Sequence, residues 1–588
     1  MLLNKIKKGF QIFSLTWHIF NKKQKAGFIF IFIAILFGAL LETIGVSALI
    51  PFVQSILSPD KLMSNKYISS FCDKFHITTS STLIVFVSSA VVIFYILKNI
   101  YAIICNYWQQ KYRTSVQLYV SVSMLKKYMK RPYSFFIKSN SSVLLRDIID
   151  DANGMMTILC NIFIIMTDAF VALLITIFLF ITDPFIALWL SLAVLIVLFV
   201  PTLLLGSSIR KAGNKLRDDD VIARKNAFQS INGIKEILVS NKQAYFSDVY
   251  EKSYTRKTKS DIKSSTLSFI PGRLIEAICI SALIITVVVK VVSGDVSELL
   301  VANLSAFAIA AFKLLPSVSR ISSGFNALLT AYPIIVSVNT NVNTKYTDNL
   351  IDKSSTNDIT FNNSIDFKNV AFHYESTDKN VFENVNLSIK KGDVIGIVGP
   401  SGAGKTTFVD VLLGLLTQTS GEIFVDDNKL CASNIDSWRS IISYVPQTAY
   451  LLDDSIKMNV AFGVDEKEIN EKAVEKAIHD AMLDEYVASL ENKELSVVGE
   501  RGISMSGGQR QRLSIARALY PNPEIIVFDE ATSALDEITE KEIMSSIDNL
   551  IGTKTLIIIA HRLSTLKKCN KIFEVKDGKV IQKNSIDE

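Results

Sequence analysis

The 588-residue chain is short of the features that stabilise small secreted or metal-bound domains. Its six cysteines, Cys72, Cys105, Cys160, Cys279, Cys431 and Cys569, show no metal-ligand spacing. Only Cys72 falls in a segment expected on the external side of the membrane, where it has no partner, so a disulfide framework is not expected. A cleavable signal peptide is also missing. Met1 to Lys25 is basic and amphipathic, and the apolar run after it is too long for a signal's apolar core. Ile6 to Phe20 reads instead as a helix lying at the membrane surface, with Trp17 and several Phe on one side. Charge is scarce over long stretches of the first 320 residues, which run for about 20 residues at a time with few charges, the length that spans a bilayer. After about residue 340 the composition becomes that of an ordinary soluble domain. The net charge of +6 raises a nucleic-acid partner, but the basic residues flank the apolar runs, a placement that belongs to membrane topology. No nucleic acid is expected.

Six spans are expected, near 27–56, 82–107, 155–181, 184–207, 269–293 and 297–318. The intervening segments 1–25, 108–154 and 208–268 are rich in Lys and Arg. Of the opposite-side segments only 57–81 carries lysines, at Lys61, Lys66 and Lys74. That asymmetry puts the N-terminus inside, and an even number of spans returns the chain to the cytoplasm. The domain expectation is an interfacial helix at 1–26, a membrane domain at 27–335, a polar linker at 336–362 and a soluble domain at 363–588. Two aromatic stretches near the ends of the internal excursions, Arg131 to Phe136 and Gln243 to Phe246, are candidates for docking on the soluble domain. Glu42, Lys98, Asp168, Arg273, Glu276, Lys290 and Lys313 fall inside spans, where a central charge costs roughly 2.5–3.5 kcal/mol on insertion scales. Such groups face a bundle interior or a wet cavity. Lys290, near a span end, snorkels. Glu42 and Glu276 read equally as helix-locking partners. Lys98, Arg273 and Lys313 together suit an anionic head group such as a pyrophosphate.

The soluble part carries the clearest chemistry. The run Gly399-Pro400-Ser401-Gly402-Ala403-Gly404-Lys405-Thr406 follows an apolar strand and opens a helix, the context required of a phosphate loop. Backbone N–H groups and the helix N-terminus converge on phosphate, Lys405 neutralises the outer phosphates, and the Thr406 hydroxyl holds magnesium. A nucleoside triphosphate is the expected ligand. Tyr374 is placed to stack on adenine, and Gln447 after a strand can reach magnesium and the attacking water. Ser506-Gly507-Gly508-Gln509 opens a second anion-binding helix with Ser506 as its cap. The apolar strand Ile525 to Phe528 ends in Asp529, suited to magnesium, and Glu530, suited to act as general base. His561 follows another buried strand and can contact the γ-phosphate.

This ordered set, over residues 365–588, resembles an ATP-binding cassette, and the whole chain resembles an ABC exporter half-transporter. The resemblance implies a membrane α-helical bundle of six spans plus an α/β P-loop NTPase cassette. It also implies a dimer in which two cassettes sandwich two ATP molecules with magnesium; the intact catalytic positions make a homodimer the default, with a heterodimer in which this is the intact subunit as the alternative. It assigns Tyr374 to adenine and Gly399 through Thr407 to the phosphates, with Gln447 at magnesium and in coupling. Ser506, Gly507 and Gln509 go to the partner's γ-phosphate, Glu530 to catalysis, Asp536 to the dimer seam and His561 to the switch. Met505 departs from the family's usual Leu, a change of similar volume that leaves activity expected. Val498 to Gly502 fits the exporter-type segment that touches the membrane domain. Leu41 to Val46 with Ile50-Pro51-Phe52, Lys66-Tyr67, and Lys313 to Ser317 with Arg320-Ile321 resemble the lipid-linked oligosaccharide flippase branch of bacterial inner membranes. There Lys98, Arg273 and Lys313 would hold a pyrophosphate, and an external helix at Ser64 to Lys74 would engage the lipid. An exporter of peptides, drugs or other lipids is the competing transport reading. A membrane-anchored ATPase that moves nothing is the more distant one.

Overall fold

The computed structural model describes residues 2–57, 59, 79–182, 184–292, 314, 316–343, 358–375, 377, 379–499, 505–530, 537–560 and 566–583. The chain divides into two compact units, one of residues 1–130 with 139–344, the other of 131–138 with 345–588.

The first unit is helical. Helix α1 (Leu2–Ile19) leads to α2 (Lys22–Ser47), whose start is fixed by a capping box in which Asn21 and Gln24 exchange side chain–backbone hydrogen bonds. The first expected span is broken: α2 stops at Ser47 and α3 (Leu49–Leu57) resumes after Ala48. Pro51 accounts for the break, because its ring lacks an N–H and clashes with the carbonyl four residues earlier. Then come α4 (Ser80–Tyr128), α5 (Tyr133–Lys138), α6 (Ser141–Arg146), a π-helical turn at Asp147–Asp151, and α7 (Ala152–Thr182). Helix α8 (Pro184–Asn232) begins on a proline, which suits a first helical position. It is followed by α9 (Ile234–Val239) and α10 (Gln243–Val292). Helix α11 (Pro316–Thr330) meets α12 (Tyr332–Asn343) at 51°. Pro333, in the first turn of α12, explains that bend.

Three stretches among the described residues, Lys22–Ile56, Ser80–Tyr128 and Val143–Ile181, are long and apolar enough to cross a membrane, and the bent α11–α12 pair makes a fourth. The expected fourth and fifth spans lie within the continuous helices α8 and α10. The expected sixth falls largely outside the described residues. Helices α4 and α8 have 49 residues each and α10 has 50. At 1.5 Å per residue each is about 74 Å long, more than twice the roughly 30 Å hydrocarbon layer, so these helices project well beyond it.

Two boundaries differ from the sequence reading. Ile12, Ile19 and Phe20, on and just after α1, are buried in one cluster with Phe28, Tyr112 and Phe163 from α2, α4 and α7, and with Ile335 and Val338 from α12. The apolar side of α1 is therefore packed on the bundle and is not the membrane-facing side expected of a surface helix. The expected linker beginning at 336 is helical to Asn343, with Val338 and Val342 buried.

The second unit holds two sheets. One is antiparallel, in the order β2 (Phe382–Lys390), β1 (Ser364–Phe372), β4 (Ser420–Val425), β5 (Asn428–Lys429). The other runs β10 (Lys579–Lys583), β9 (Lys571–Lys576), β3 (Val394–Val398), β8 (Thr555–Ile559), β7 (Ile525–Asp529), β6 (Ile442–Val445). Within it β9, β3, β8, β7 and β6 are parallel, and β10 is an antiparallel edge. Strands β7 and β8 are buried at every position, as expected of parallel strands covered on both faces. Their uninterrupted Ile, Val, Leu and Phe content follows from that burial. In open parallel sheets ligands bind beyond the carboxyl ends of the strands. Those ends carry the phosphate loop and Asp529.

Candidate functional site

Strand β3 ends at Val398, and helix α13 (Lys405–Leu412) begins seven residues further on. Two glycines in the turn are sterically required. Gly399 has φ 149°, and a Cβ there would lie 2.2 Å from the Val575 carbonyl oxygen. Gly404, the residue preceding α13, has φ 101°, and a Cβ there would lie 2.5 Å from Val381 Cγ1. The loop backbone can thus curl tightly enough to present its N–H groups to an anion. Lys405 is buried, and its Nζ donates to the carbonyls of Gly399 and Pro400 at 2.9 and 3.1 Å, which anchors the ammonium at the loop. The Tyr374 and Thr407 hydroxyls are 3.0 Å apart, so the expected adenine platform is tied to the same helix.

Three carboxylates converge beside this loop. Asp529 closes β7, and the Tyr444 phenol on β6 donates to its Oδ2 at 2.9 Å. Asp410, on α13, is pushed up to about 6 by burial and by the negative charge of Asp529. Burial also raises Asp529, with Glu530 adding to the shift. Glu530 stands in the left-handed region at φ 48°, unusual for a non-glycine residue and a form of strain found at functional sites. Gln447 Nε2 donates to Glu530 Oε2 at 2.7 Å. Gln447 and Glu530 are 83 residues apart in sequence, and the expected roles of Gln447 at magnesium and water did not specify this contact. Among the described residues no group of three or more Asp, Glu, His or Cys side chains is arranged to hold a metal ion by itself; a magnesium ion at Asp529 would therefore take much of its coordination from nucleotide phosphates and water.

Helix α14 (Gly507–Leu519) starts on Ser506, whose side chain accepts from the Gln509 N–H at 3.2 Å while Gln509 Oε1 accepts from the Ser506 N–H at 2.8 Å. The expected cap is therefore a full capping box. Met505 is buried in the surrounding core, so its side chain serves packing, where Leu and Met are interchangeable in volume. His561, Asp536 and the segment Glu500 to Gly502 lie outside the described residues.

Helix α5 groups with the cassette although its neighbours in sequence belong to the helical unit. Lys138 pairs with Glu375 at 2.6 Å, one residue past Tyr374. Burial, with the charges of Asp410 and Tyr374 nearby, raises the Tyr133 phenol. Within the aromatic stretch Arg131 to Phe136, Tyr133 thus lies near Tyr374, the residue expected to stack on adenine. The other candidate, Gln243 to Phe246, stays with the helical unit, with Tyr245 exposed.

The helical unit contains a cavity of about 450 Å³ lined by residues of α2, α4, α7 and α11, including Glu42, Lys98, Tyr101, Asp168, Ser317 and Arg320. Lys98 Nζ pairs with Glu42 at 2.7 Å and lies 4.6 Å from the centre of the Tyr95 ring. Arg320 grips Asp168 through Nε at 2.8 Å and Nη2 at 2.6 Å. Of the three expected cations only Lys98 is placed here. Arg273 does not line the cavity: it is exposed, with its guanidinium 4.6 Å from the Phe269 ring one turn away. Lys313 lies outside the described residues. Sequence reasoning passed over Arg320 as a site residue, and also Tyr444 and Asp410. Asp168, an aspartate in the middle of an apolar run, was the one available signal that a cation faces it.

Two family models match the chain: the ABC transporter transmembrane region over residues 26–311 and the ABC transporter model over residues 382–533. Among curated proteins the chain is similar to the ATP-dependent lipid A-core flippase of Escherichia coli, 26% identical over 97% of this chain and 95% of that protein. The protein of the same name from Ralstonia nicotianae is 26% identical over 81% of this chain and 80% of its own length. Among solved structures a bacterial Atm1-family ABC exporter with ATP bound superposes with a TM-score of 0.79 at 21% identity, covering 94% of this chain and 96% of that one. With one membrane helical domain and one ATP-binding cassette fused in a single chain, the protein belongs to the ABC transporters as an exporter that couples ATP hydrolysis to transport.

Proposed function

We propose that the protein is an ATP-driven flippase for an anionic glycolipid, and that its cargo is a polyprenyl-pyrophosphate-linked saccharide. The observation behind this reading is the charged cavity among otherwise apolar helices. A charged, hydrated head group cannot cross hydrocarbon unaided, whereas its lipid tail need not leave it, and fixed charge in a cavity lowers the head group's transfer cost. The lipid-flipping relatives support the same class of cargo, and a lipid A-core is the second reading because their names specify it. Lys98 and Lys313 remain in the proposed head-group set, Arg320 joins it, and Arg273 drops out.

In this reading two copies form a homodimer in a bacterial inner membrane, with both termini in the cytoplasm. Each ATP lies on Gly399 through Thr407 and Tyr374 of one copy and on Ser506, Gly507, Gly508 and Gln509 of the other. Thr406, Gln447 and Asp529 hold magnesium, which screens the phosphates. Glu530 takes the proton of the attacking water, His561 contacts the γ-phosphate, and Asp536 lies at the seam. ATP can bias the direction the cavity faces only through its differential affinity for the two arrangements. Helix α5, seated beside Tyr374, is the proposed element through which the membrane half senses the nucleotide.

The test is a proteoliposome assay with fluorescent lipids differing only in head group. ATP-dependent translocation of a polyprenyl-pyrophosphate saccharide, without translocation of phosphatidylcholine, supports the reading. Movement of lipid A-core alone selects the second reading, and movement of neither lipid overturns the flippase assignment.

A further inference from the structure

In the parallel pair β6–β7, Tyr444 stands opposite Val527 and Val445 opposite Phe528. Side chains two apart on a strand share a face, so Asp529 lies on the same side of the sheet as Val527 and hence as Tyr444. Two residues along and one strand across is roughly 8 Å between Cα atoms. A phenol spans that gap, whereas Ser, Thr or Asn at the same position is too short. The contact is made: Tyr444 Oη donates to Asp529 Oδ2 at 2.9 Å. Asp529 is only 7% exposed, and among the described residues no other side chain hydrogen-bonds to it. The phenol has one proton to give. Asp410 also lies near enough to act on it electrostatically, yet the proton goes to Asp529. Gln447, three residues further along the same segment, donates to Glu530 at 2.7 Å. One short segment therefore holds two consecutive acids, each by one donor.

We propose that Tyr444 is a positioning residue for ATP hydrolysis: its phenol occupies Oδ2 of Asp529 and holds the carboxylate in one orientation, leaving Oδ1 for magnesium and its waters. The proposal rests on the reading above that places magnesium at Asp529, and it is independent of the cargo. The last torsion of an aspartate is broad and two-fold, so a carboxylate with no donor on it samples orientations that do not serve the ion. The Tyr444 ring is carried by a strand whose place is fixed by its ladder to β7. A donor on Oδ2 also offsets the cost of burying the charge that attracts the cation. Among the described strands β6 is the edge of its sheet and pairs with β7 alone. Displacement of the Tyr444–Gln447 segment would therefore move the donors of Asp529 and Glu530 together.

The full chain in detergent is titrated with the non-hydrolysable nucleotide AMP-PNP, once in magnesium and once in EDTA, and the ratio of the two dissociation constants is read. The wild type is expected to bind more tightly in magnesium. Tyr444→Phe, which removes one oxygen, is expected to lose about tenfold of that gain, the scale of one hydrogen bond to a charged group. Its binding in EDTA is expected to match the wild type. Adding Tyr444→Phe to Asp529→Asn is expected to cost nothing beyond Asp529→Asn alone, since the phenol acts through the carboxylate. ATP turnover by Tyr444→Phe is expected to need about tenfold more magnesium for its half-maximal rate. A general packing role would weaken binding equally in magnesium and in EDTA, and that result overturns the proposal. So does a wild-type ratio in Tyr444→Phe, or an added loss in the double variant. Should Tyr444→Phe fail to fold, Tyr444→Gln, polar but too short to reach Asp529, serves in the same comparison. If the wild type gains nothing from magnesium, the placement of magnesium at Asp529 falls together with the proposal. If the wild type gains and Tyr444→Phe gains as much, that placement stands and the positioning role alone falls.

Discussion

The nucleotide site and the membrane cavity both contain buried charge, and they balance it in opposite ways. Beside the phosphate loop, charges of one sign face each other: Asp529 helps hold Asp410 near 6, and Glu530 adds to the rise of Asp529. In the cavity each carboxylate has a cation at 2.6–2.7 Å. The first arrangement lies beside the phosphate loop, where burial and like charge raise both Asp410 and Asp529 above their ordinary value. In the second, among the described residues, each charge has a partner of opposite sign. Catalytic charge is concentrated where the backbone is rigid, at the ends of parallel strands. The charge proposed to handle cargo is spread over four helices, α2, α4, α7 and α11.

The sharpest way to break this contrast is at Glu530. Glu530→Gln should retain ATP binding and lose turnover by about 10²–10⁴-fold, the usual contribution of a general base. Phosphate release and equilibrium nucleotide binding, measured together, check it. In the cavity, Lys98→Met should destabilise the membrane half by about 3 kcal/mol, because Glu42 loses the cation paired with it at 2.7 Å, and the double variant Glu42→Gln with Lys98→Met should recover most of the loss. Thermal unfolding in detergent reads both. If Lys98→Met melts like the wild type, the pair does not lock these helices. A smaller effect is expected at Lys405, where Lys405→Ala should weaken ATP binding about 10–100-fold by removing a charge-assisted contact to phosphate.

The smallest effect tests the like-charge side of the comparison. Asp410 is normally at 3.8 and is held near 6 in the fold, so between those values the folded chain carries more protons than the unfolded one. Stability must therefore fall as pH rises from about 4 to 6. In chelator, Asp410→Asn should melt like the wild type near pH 4 and be more stable at pH 7 by on the order of 1 kcal/mol, a figure discounted for the partial exposure of the carboxyl. An unchanged difference across that range would remove the electrostatic account of this site.

Much of the nucleotide site is legible in the sequence because its chemistry imposes residue types at short spacing. A glycine turn, a lysine and a hydroxyl occupy consecutive positions, and an all-apolar strand ends in two carboxylates. Ser506 and Gln509 are legible for the same reason, being three residues apart on one helix start. The contacts that escaped are long-range. Arg320 and Asp168 are 152 residues apart, and Tyr444 and Asp529 are 85 apart. No local pattern announces either pair. The basic, aromatic α1 carried the amphipathic signal of a surface helix, yet the same pattern serves equally to bury Ile12 and Ile19 against α12. The break at Ser47 was legible in Pro51 and hidden by the hydropathy of the run around it.

The most direct test of the account measures lipid translocation and ATP hydrolysis in the same vesicles, for the wild type and for Glu530→Gln. The account predicts that the wild type shows both, and that the variant binds ATP and shows neither. Lipid movement that continues in the variant, or hydrolysis in the wild type with no lipid moved under any head group, would contradict the coupling of the two sites.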